Sequence, residues 1–214
     1  MQTDLKARIF DSLVDLQSGK PMSSFDSGVR DDMLEELGRE ASELPMFFSR
    51  DIAKWERTRR ATFFPDGAPN TPRFIKGIFC AQKRIPHITS TCLRLIDDFN
   101  EVAKASGAAN TIPSLSGWAP NRIGINYMYG NHKSPAFIPP HTDPQTETGL
   151  VMSLELIGRN AGQLSLIFGA DSCIYAGIGA EGQPLHSLET YEGRISVTVA
   201  QLLPNLPPAF QNVQ

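Results

Sequence analysis

The stretch Arg194-Ile195-Ser196-Val197-Thr198-Val199 alternates polar and apolar residues with the period of a β-strand. It begins 8 positions after His186, which follows His141 of the tripeptide His141-Thr142-Asp143 by 45 positions. Short β-rich segments punctuated by Gly and Pro clusters surround these residues, at 122–129, 149–157, 163–168, 172–176 and 194–202. Short strands at this spacing predict a β-sandwich or barrel for residues 113–203.

The first half of the chain has helical periodicity instead. Helices are predicted at 1–18, 31–44 and 88–105, and a short helix or turn at 49–60. The predicted core positions are Leu5, Ile9, Leu13 and Leu16, then Met33, Leu34, Leu37 and Leu44, and then Leu93, Ile96, Phe99 and Val102. Helices followed by strands predict an α+β fold, with helices on one side of the β-sandwich or barrel. The order of His141 and Asp143, intervening hairpins, the lone His186 and the Arg194 strand is that of a double-stranded β-helix of the jelly-roll or cupin type. We expect one domain over 1–214, in which residues 1–112 give helical support and part of a substrate-binding surface.

The composition is that of an ordinary globular protein. The 214 residues are 41% apolar and 20% charged, enough for one real core. No apolar run is long enough to cross a bilayer, and no apolar stretch follows the charged residues at the amino terminus. The three cysteines cannot all pair within one chain. These features predict a soluble intracellular protein, cytoplasmic or nuclear, without a membrane partner.

Three of the residues introduced above form a metal-ligand pattern. Two imidazoles and one carboxylate hold non-haem Fe(II) on one face of an octahedron. Alternate residues of a strand share a face, so His141 and Asp143 can bind together while His186 arrives from another strand. We therefore predict His141, Asp143 and His186 as metal ligands and catalytic residues. Arg194, a fixed cation on the next strand, suits a dicarboxylate co-substrate.

At these residues the sequence resembles the Fe(II)/2-oxoglutarate-dependent dioxygenases over 120–201. Within that superfamily it looks most like the AlkB-like branch and the related TET/JBP nucleobase oxygenases, on residues 120–129 and 194–200. The terminal strand of that branch reads Arg-x-Asn-x-Thr-x-Arg. Here Ser196 replaces the Asn and Ala200 the last Arg.

The resemblance implies an enzyme that uses Fe(II), 2-oxoglutarate and O2 to hydroxylate a C–H bond. It implies that Arg194 binds the far carboxylate of 2-oxoglutarate. Asn126 and either Tyr127 or Tyr129 would donate further hydrogen bonds, with Ser196 or Thr198 assisting. The carboxylate of Asp143 favours hydroxylation over halogenation, since related halogenases lack it.

The segment 50–84 carries nine basic residues against three acidic ones, a charge of +6 within a chain of net charge −3. Such a block either faces a polyanion or is a solvated charged face. With the resemblance it predicts a nucleobase substrate in DNA or RNA, contacted by Arg59 and Arg60. The alternatives are a small-molecule hydroxylase of the same superfamily and a non-catalytic metal-binding β-barrel module.

Two further segments are predicted to touch substrate. The loop 129–138 is expected to overhang the metal as a lid, with Gly130 as a hinge and Phe137 covering the site. Thr146 and Thr148, just after Asp143, are predicted substrate contacts, or else a plain connecting turn.

Overall fold

The computed structural model describes residues 2–20, 22–44, 58–64, 79–81, 85–111, 115, 118–141, 147–168 and 186–202. Helices and short strands alternate up to residue 111, and from residue 122 the described elements are all strands. The helices within these ranges are α1 (Gln2–Gln17), α2 (Asp31–Ser42), α3 (Pro86–Ala105) and α4 (Ala108–Thr111). The strands are β1 (Met22–Asp26), β2 (Thr58–Phe64), β3 (Phe79–Ala81), β4 (Arg122–Tyr129), β5 (Ala136–His141), β6 (Glu147–Ile157), β7 (Gln163–Phe168), β8 (His186–Thr190) and β9 (Gly193–Leu202).

The strands form two sheets. The major sheet has the order β1-β7-β6-β9-β4-β2-β3, and β5 and β8 pair in a minor sheet. All of these pairings are antiparallel except that of β2 with β3. The predicted terminal strand, β9, therefore lies between β6 and β4, at the centre of the major sheet.

The helices cover one face of the major sheet, which we call the helical face. A single apolar cluster joins residues of α1, α2 and α3 to alternate residues of the central strands, among them Ile125, Val197 and Leu154. Phe99 of α3 meets Trp118 edge to face, with ring centroids 5.3 Å apart. Tyr127 of β4 donates a 2.7 Å hydrogen bond from its hydroxyl to the carbonyl oxygen of Ala41 in α2. Helical spacing in the first half and strand alternation in the second thus produce one shared core.

The opposite face of the major sheet, which we call the inner face, is covered at one end by the minor sheet. Met128 of β4 packs there with Ala136, Ile138 and Leu188 in a second, smaller apolar cluster. Residues 122–128 of β4 are all buried, so this strand is covered on both faces. The minor sheet therefore shields one end of the inner face from solvent.

The predicted elements largely match those observed. The strands at 122–129 and 163–168 have the predicted bounds, and the predicted helices at 1–18, 31–44 and 88–105 correspond to α1, α2 and α3. The predicted core positions of α1 are all buried, as are Ile96, Phe99 and Val102 of α3. Leu93 is wrong as a core position: it is 54% exposed, and Leu95 and Cys92 face the core instead.

The prediction of a helix or turn at 49–60 is wrong at its end, because residues 58–60 belong to strand β2 and pair with β4. Strands β1 and β3 were not predicted. The predicted strand 172–176, and residues 49–57 of the predicted helix, lie outside the described residues. Among the described helices none has the length and apolar character needed to cross a bilayer.

Candidate metal centre and inner face

The two predicted histidine ligands occupy facing positions in the minor sheet. His141 at the end of β5 is the register partner of His186 at the start of β8, and a bulge separates this pair from the Ile138–Leu188 pair. The backbone register thus makes these two positions neighbours across the ladder, as two ligands of one metal ion must be. Asp143 lies outside the described residues, and no cluster of three metal-ligating side chains is complete within them.

Arg194 on β9 is held in place by two neighbours. Its Nε donates a 2.6 Å hydrogen bond to Oε2 of Glu155, and its Nη1 donates a 3.1 Å hydrogen bond to Oγ of Ser196. The side chains of Arg194 and Glu155 are only 16% and 6% exposed, so the ion pair is largely shielded from water. Neither of these bonds uses Nη2.

Glu155 is a residue that sequence analysis missed. It lies on β6 as the register partner of Ser196, beside a bulge that shifts the β6–β9 register before Ile157. Bulges bend a strand and re-aim its side chains. A single carboxylate among the apolar residues of 149–157 was the available signal, but a strand with one wet face gives the same pattern.

The inner face carries the polar positions of the central strands. Cross-strand partners share a face, and Asn126 of β4 faces Ser196 while Gly124 faces Thr198. Ser196 is 1% exposed, and Thr198 donates a 3.2 Å hydrogen bond to the carbonyl oxygen of Gly124. Burial of such polar groups costs free energy unless each has a hydrogen-bond partner.

Asn126 is a residue of the inner face whose side-chain amide can accept a further hydrogen bond. The residue is 8% exposed, and its Oδ1 has no hydrogen-bond partner among the described residues. Buried side-chain polar atoms normally have a partner, and the assignment of the amide O and N follows from such partners. A polar ligand beside Arg194 and Ser196 would supply a hydrogen-bond partner for the Asn126 amide.

Ala200, the departure from the terminal-strand pattern, faces Arg122 across the β4–β9 ladder. Arg122 is 6% exposed, so β4 places a buried guanidinium next to Ala200 of β9, the position at which the terminal-strand pattern has its last Arg. Sequence analysis did not single out Arg122, because the pairing of β4 with β9 sets this neighbourhood.

The two tyrosines lie on the opposite side from Asn126. Residues alternate along a strand, so Tyr127 and Tyr129 share the helical face, where Tyr127 is 3% exposed and bonded to Ala41. Tyr129 is the last residue of β4, faces Gly193 and is 39% exposed. The structure does not bring these two predicted co-substrate contacts to the inner face.

The segment predicted as a lid is partly a strand. Residues 136–138 begin β5 and pair with β8, so the lid prediction is wrong for them. A Cβ on Gly130 would clash with the carbonyl oxygen of Thr190, so this glycine permits a close backbone approach between the two residues. Phe137 faces Glu189 in the minor sheet and is half-buried.

The remaining predicted substrate contacts are placed by backbone register alone. Arg59 and Arg60 on β2 face Tyr127 and Asn126 of β4. Thr148 on β6 faces Gln201 of β9. Thr146, and the basic segment 50–84 apart from 58–64 and 79–81, lie outside the described residues.

A cavity of about 430 Å³ opens beside the Arg194–Glu155 pair, between the β6–β7 turn and the β8–β9 turn. It is lined by Glu155, Arg159, Asn160, Leu188, Glu189, Thr190, Tyr191, Glu192 and Arg194. A hydrogen bond to Glu189, together with the charge of that carboxylate, raises the pKa of Tyr191.

No family model matches the chain, and no curated protein matches it by sequence. Solved structures do match. A Pseudomonas putida prolyl-4-hydroxylase superposes with a TM-score of 0.55 at 12% identity, covering 91% of this chain and 100% of that one. A Trichoplax adhaerens prolyl hydroxylase, in complex with a hypoxia inducible factor oxygen degradation domain peptide fragment, gives 0.54 at 9% identity, covering 94% and 90%.

The 2OG complex of the viral collagen prolyl hydroxylase from Paramecium Bursaria Chlorella virus-1 gives a TM-score of 0.50 at 11% identity, covering 85% of this chain and 95% of that one. At such identities the likeness defines the fold. It confirms the predicted α+β class with a double-stranded β-helix core. These neighbours are prolyl hydroxylases, and they give no support to the AlkB-like branch in particular.

Proposed function

We propose that the protein is an Fe(II)/2-oxoglutarate-dependent oxygenase that hydroxylates a C–H bond. The observation that carries this proposal is the facing register of His141 and His186 at one end of the β5–β8 ladder. His141 and His186 lie 45 positions apart in sequence, and the pairing of their strands brings together two residues whose chemistry suits iron. The fold shared with prolyl hydroxylases supports the same class.

The donor set fits Fe(II). His141 and His186 would supply two imidazoles, and Asp143, two positions after His141, would supply the carboxylate. Three protein ligands leave three coordination positions open for the co-substrate and O2. When bound, iron with 2-oxoglutarate and O2 supplies the oxidising power that converts C–H to C–OH. The side chains of this chain supply binding, orientation and exclusion of water.

The inner face fits 2-oxoglutarate. Arg194 presents a guanidinium, held by Glu155 and Ser196, to the far carboxylate. Asn126 presents a buried amide with open hydrogen-bonding capacity on the neighbouring strand. The apolar cluster of Met128, Ala136, Ile138 and Leu188 excludes water from the same end, which strengthens these polar contacts. Tyr127 and Tyr129 have no part in this arrangement.

We consider two classes of primary substrate. One fold neighbour was solved with a bound peptide fragment, and a peptide or a small molecule is the class we propose first. A nucleobase in DNA or RNA is the second class. One observation favours it: strand β2, which carries Arg59 and Arg60 of the basic segment, pairs directly with β4 beside Asn126.

A turnover assay tests the proposal. The purified protein is loaded with Fe(II) and supplied with 2-oxoglutarate, O2 and ascorbate, and succinate release is measured with and without a library of prolyl peptides, small acids or oligonucleotides. We expect succinate release that needs Fe(II) and that a true substrate increases. A protein that binds metal without releasing succinate under any of these conditions is the non-catalytic metal-binding module.

Nucleic-acid binding is separated by its salt dependence. If segment 50–84 contacts phosphates, oligonucleotide affinity falls steeply as salt rises from 50 to about 200 mM. Loss of this dependence when Arg59 and Arg60 are both changed to Gln would assign it to β2. Absence of oligonucleotide binding at the lowest salt would remove the nucleobase class and leave the hydroxylase proposal intact.

A further inference from the structure

We propose that Glu155 is a positioning residue, which fixes the orientation of the Arg194 guanidinium so that its remaining donors meet the far carboxylate of 2-oxoglutarate. The inference rests on the proposed function and extends it to a residue outside the expected ligand set. Glu155 acts through Arg194 and touches neither iron nor co-substrate.

The geometry of the pair supports positioning. Oε2 of Glu155 accepts a 2.6 Å hydrogen bond from Nε of Arg194, and Oγ of Ser196 accepts one of 3.1 Å from Nη1. Sδ of Met128 lies 4.0 Å from Nη1 and closes that side of the guanidinium. An arginine fixed at two of its nitrogen atoms retains little freedom about its long axis. A planar donor group set in advance recognises a carboxylate with less loss of side-chain entropy than a mobile one.

Glu155 is itself fixed from its other side. Its Oε1 accepts a 3.0 Å hydrogen bond from the backbone N–H of Asn160, and its carbonyl oxygen accepts one of 2.8 Å from the N–H of Gly162. Both donors belong to the β6–β7 turn. The carboxylate thus links that turn to β9, and both of its oxygen atoms are used.

The turn leaves room for this carboxylate at one glycine. Gly158 has φ of +138°, and a Cβ there would lie 2.5 Å from Oε1 of Glu155 and 3.3 Å from Cγ of Arg194. Any other residue at position 158 would push the carboxylate or the arginine. Gly158 therefore gives a way to disturb the positioning contact without changing any charge.

Two physical effects of Glu155 on co-substrate binding have opposite signs. Its negative charge opposes the arrival of a dicarboxylate, so pure charge arithmetic predicts tighter binding when the charge is removed. Its hydrogen bonds orient Arg194, so loss of orientation predicts weaker binding. Glu155 accepts hydrogen bonds at both carboxylate oxygens, from Arg194 Nε at one and from Asn160 N–H at the other. A glutamine keeps an oxygen at only one of these positions and places an NH2 donor at the other, so we expect the loss of orientation to dominate.

The test is an anaerobic titration of the Fe(II) protein with 2-oxoglutarate, followed by the visible metal-to-ligand charge-transfer absorption. The comparison ligand is 2-oxopentanoate, in which a methyl group replaces the far carboxylate. For Glu155→Gln we expect 2-oxoglutarate affinity to fall roughly tenfold, while 2-oxopentanoate affinity changes by less than about twofold. Glu101→Gln is the matched control, because it makes the same change in the Lys6–Glu101 ion pair of the helical layer.

Gly158→Ala provides the second variant, in case Glu155→Gln does not fold. It should also weaken 2-oxoglutarate selectively, whereas Gly19→Ala should not, since Gly19 has a positive φ of +94° but no atom within 4 Å of the added Cβ. Unchanged or tighter 2-oxoglutarate binding in folded Glu155→Gln or Gly158→Ala would overturn the positioning role alone. A wild-type protein that gives no absorption with 2-oxoglutarate would overturn the proposed function and the positioning role together.

Discussion

The two faces of the major sheet are built from the same strands but from opposite kinds of residue. On the helical face, Ile125, Val197 and Leu154 belong to an apolar core. The hydroxyl of Tyr127, on the same face, donates its hydrogen bond to a backbone carbonyl oxygen. On the inner face the same strands present Asn126, Ser196 and Glu155, all of them buried. Burial of apolar groups stabilises a fold directly, whereas burial of polar groups costs free energy unless each is satisfied.

The difference teaches which face is built for binding. Phe99, Trp118 and the helix-packing leucines explain why the sheet is stable without reference to any ligand. They do not explain a half-buried guanidinium at Arg194 or a buried amide at Asn126 whose Oδ1 has no partner among the described residues. Stability should therefore respond mainly to the helical face, and ligand binding mainly to the inner face.

The largest effect is expected from the histidines of the minor sheet. His141→Ala, His186→Ala or Asp143→Ala should abolish Fe(II) binding and succinate release, because each removes one of three proposed ligands. The unfolding midpoint should stay near that of the wild type. His132→Ala is the control, since His132 is exposed in the turn before β5. Full succinate release by any of the three variants would remove that residue from the metal site.

Phe99→Ala should produce the largest loss of stability. The ring is fully buried and packs against Trp118, so its removal should lower the free energy of unfolding by about 3–5 kcal/mol. Urea denaturation measures this loss. In the folded fraction, 2-oxoglutarate affinity should be unchanged. A large change in affinity at unchanged stability would show that the helical face belongs to the binding site.

Tyr127→Phe separates the two proposed roles of this tyrosine. Loss of the hydroxyl leaves the carbonyl oxygen of Ala41 without this donor and should cost about 1–3 kcal/mol of unfolding free energy. Charge-transfer titration should show no change in 2-oxoglutarate affinity. Weaker binding at unchanged stability would restore Tyr127 as a co-substrate contact.

Asn126→Ala, one position earlier on the opposite face, should show the reverse pattern. The described residues offer its Oδ1 no hydrogen bond to lose, so the unfolding free energy should change by less than about 1 kcal/mol. Loss of one hydrogen bond to the ligand should weaken 2-oxoglutarate binding by about 3- to 10-fold. Equal affinity in the variant and the wild type would argue that the amide serves another ligand.

The smallest effect concerns Cys92, on the core side of α3. Burial raises the pKa of its thiol from 9.0 to about 12, so between these values the unfolded chain loses a proton that the folded chain keeps. Stability therefore falls as pH rises above 9.0, by less than about 1 kcal/mol at about pH 9.5 for this group. Urea denaturation of wild type and Cys92→Ala at pH 8 and 9.5 measures it. An identical fall in both proteins would contradict the assignment.

Much of the fold could be predicted from periodicity. The spacing of Leu5, Ile9, Leu13 and Leu16 predicts the buried stripe of α1, and alternation in 194–199 predicts a strand that the structure places at the sheet centre. Leu93 fits a helical stripe as well as Leu95 does, and only the packing of α3 in the folded protein leaves Leu93 exposed and Leu95 buried. Strand β2 was misread because Arg59 and Arg60 do not alternate with apolar residues.

The candidate site divides in the same way. Residue chemistry and order predicted His141 and His186 as ligands, but the register that joins them depends on strand β5. Residues 136–138 of this strand were predicted as a loop, because Pro135, Pro139 and Pro140 are not typical of a strand. Proline is tolerated in a two-stranded sheet because both of its strands are edges. Glu155 and Arg122 could not be found from the sequence, because their meaning arises from the pairing of β6 and β4 with β9.

A crystal structure grown anaerobically with Fe(II) and 2-oxoglutarate tests the central claim most directly. We expect the imidazoles of His141 and His186 and the carboxylate of Asp143 on one metal ion. The guanidinium of Arg194 should contact the far carboxylate of 2-oxoglutarate while keeping its bond to Glu155. Density for the metal elsewhere, or the two imidazoles on separate sides of the β5–β8 ladder, would contradict it.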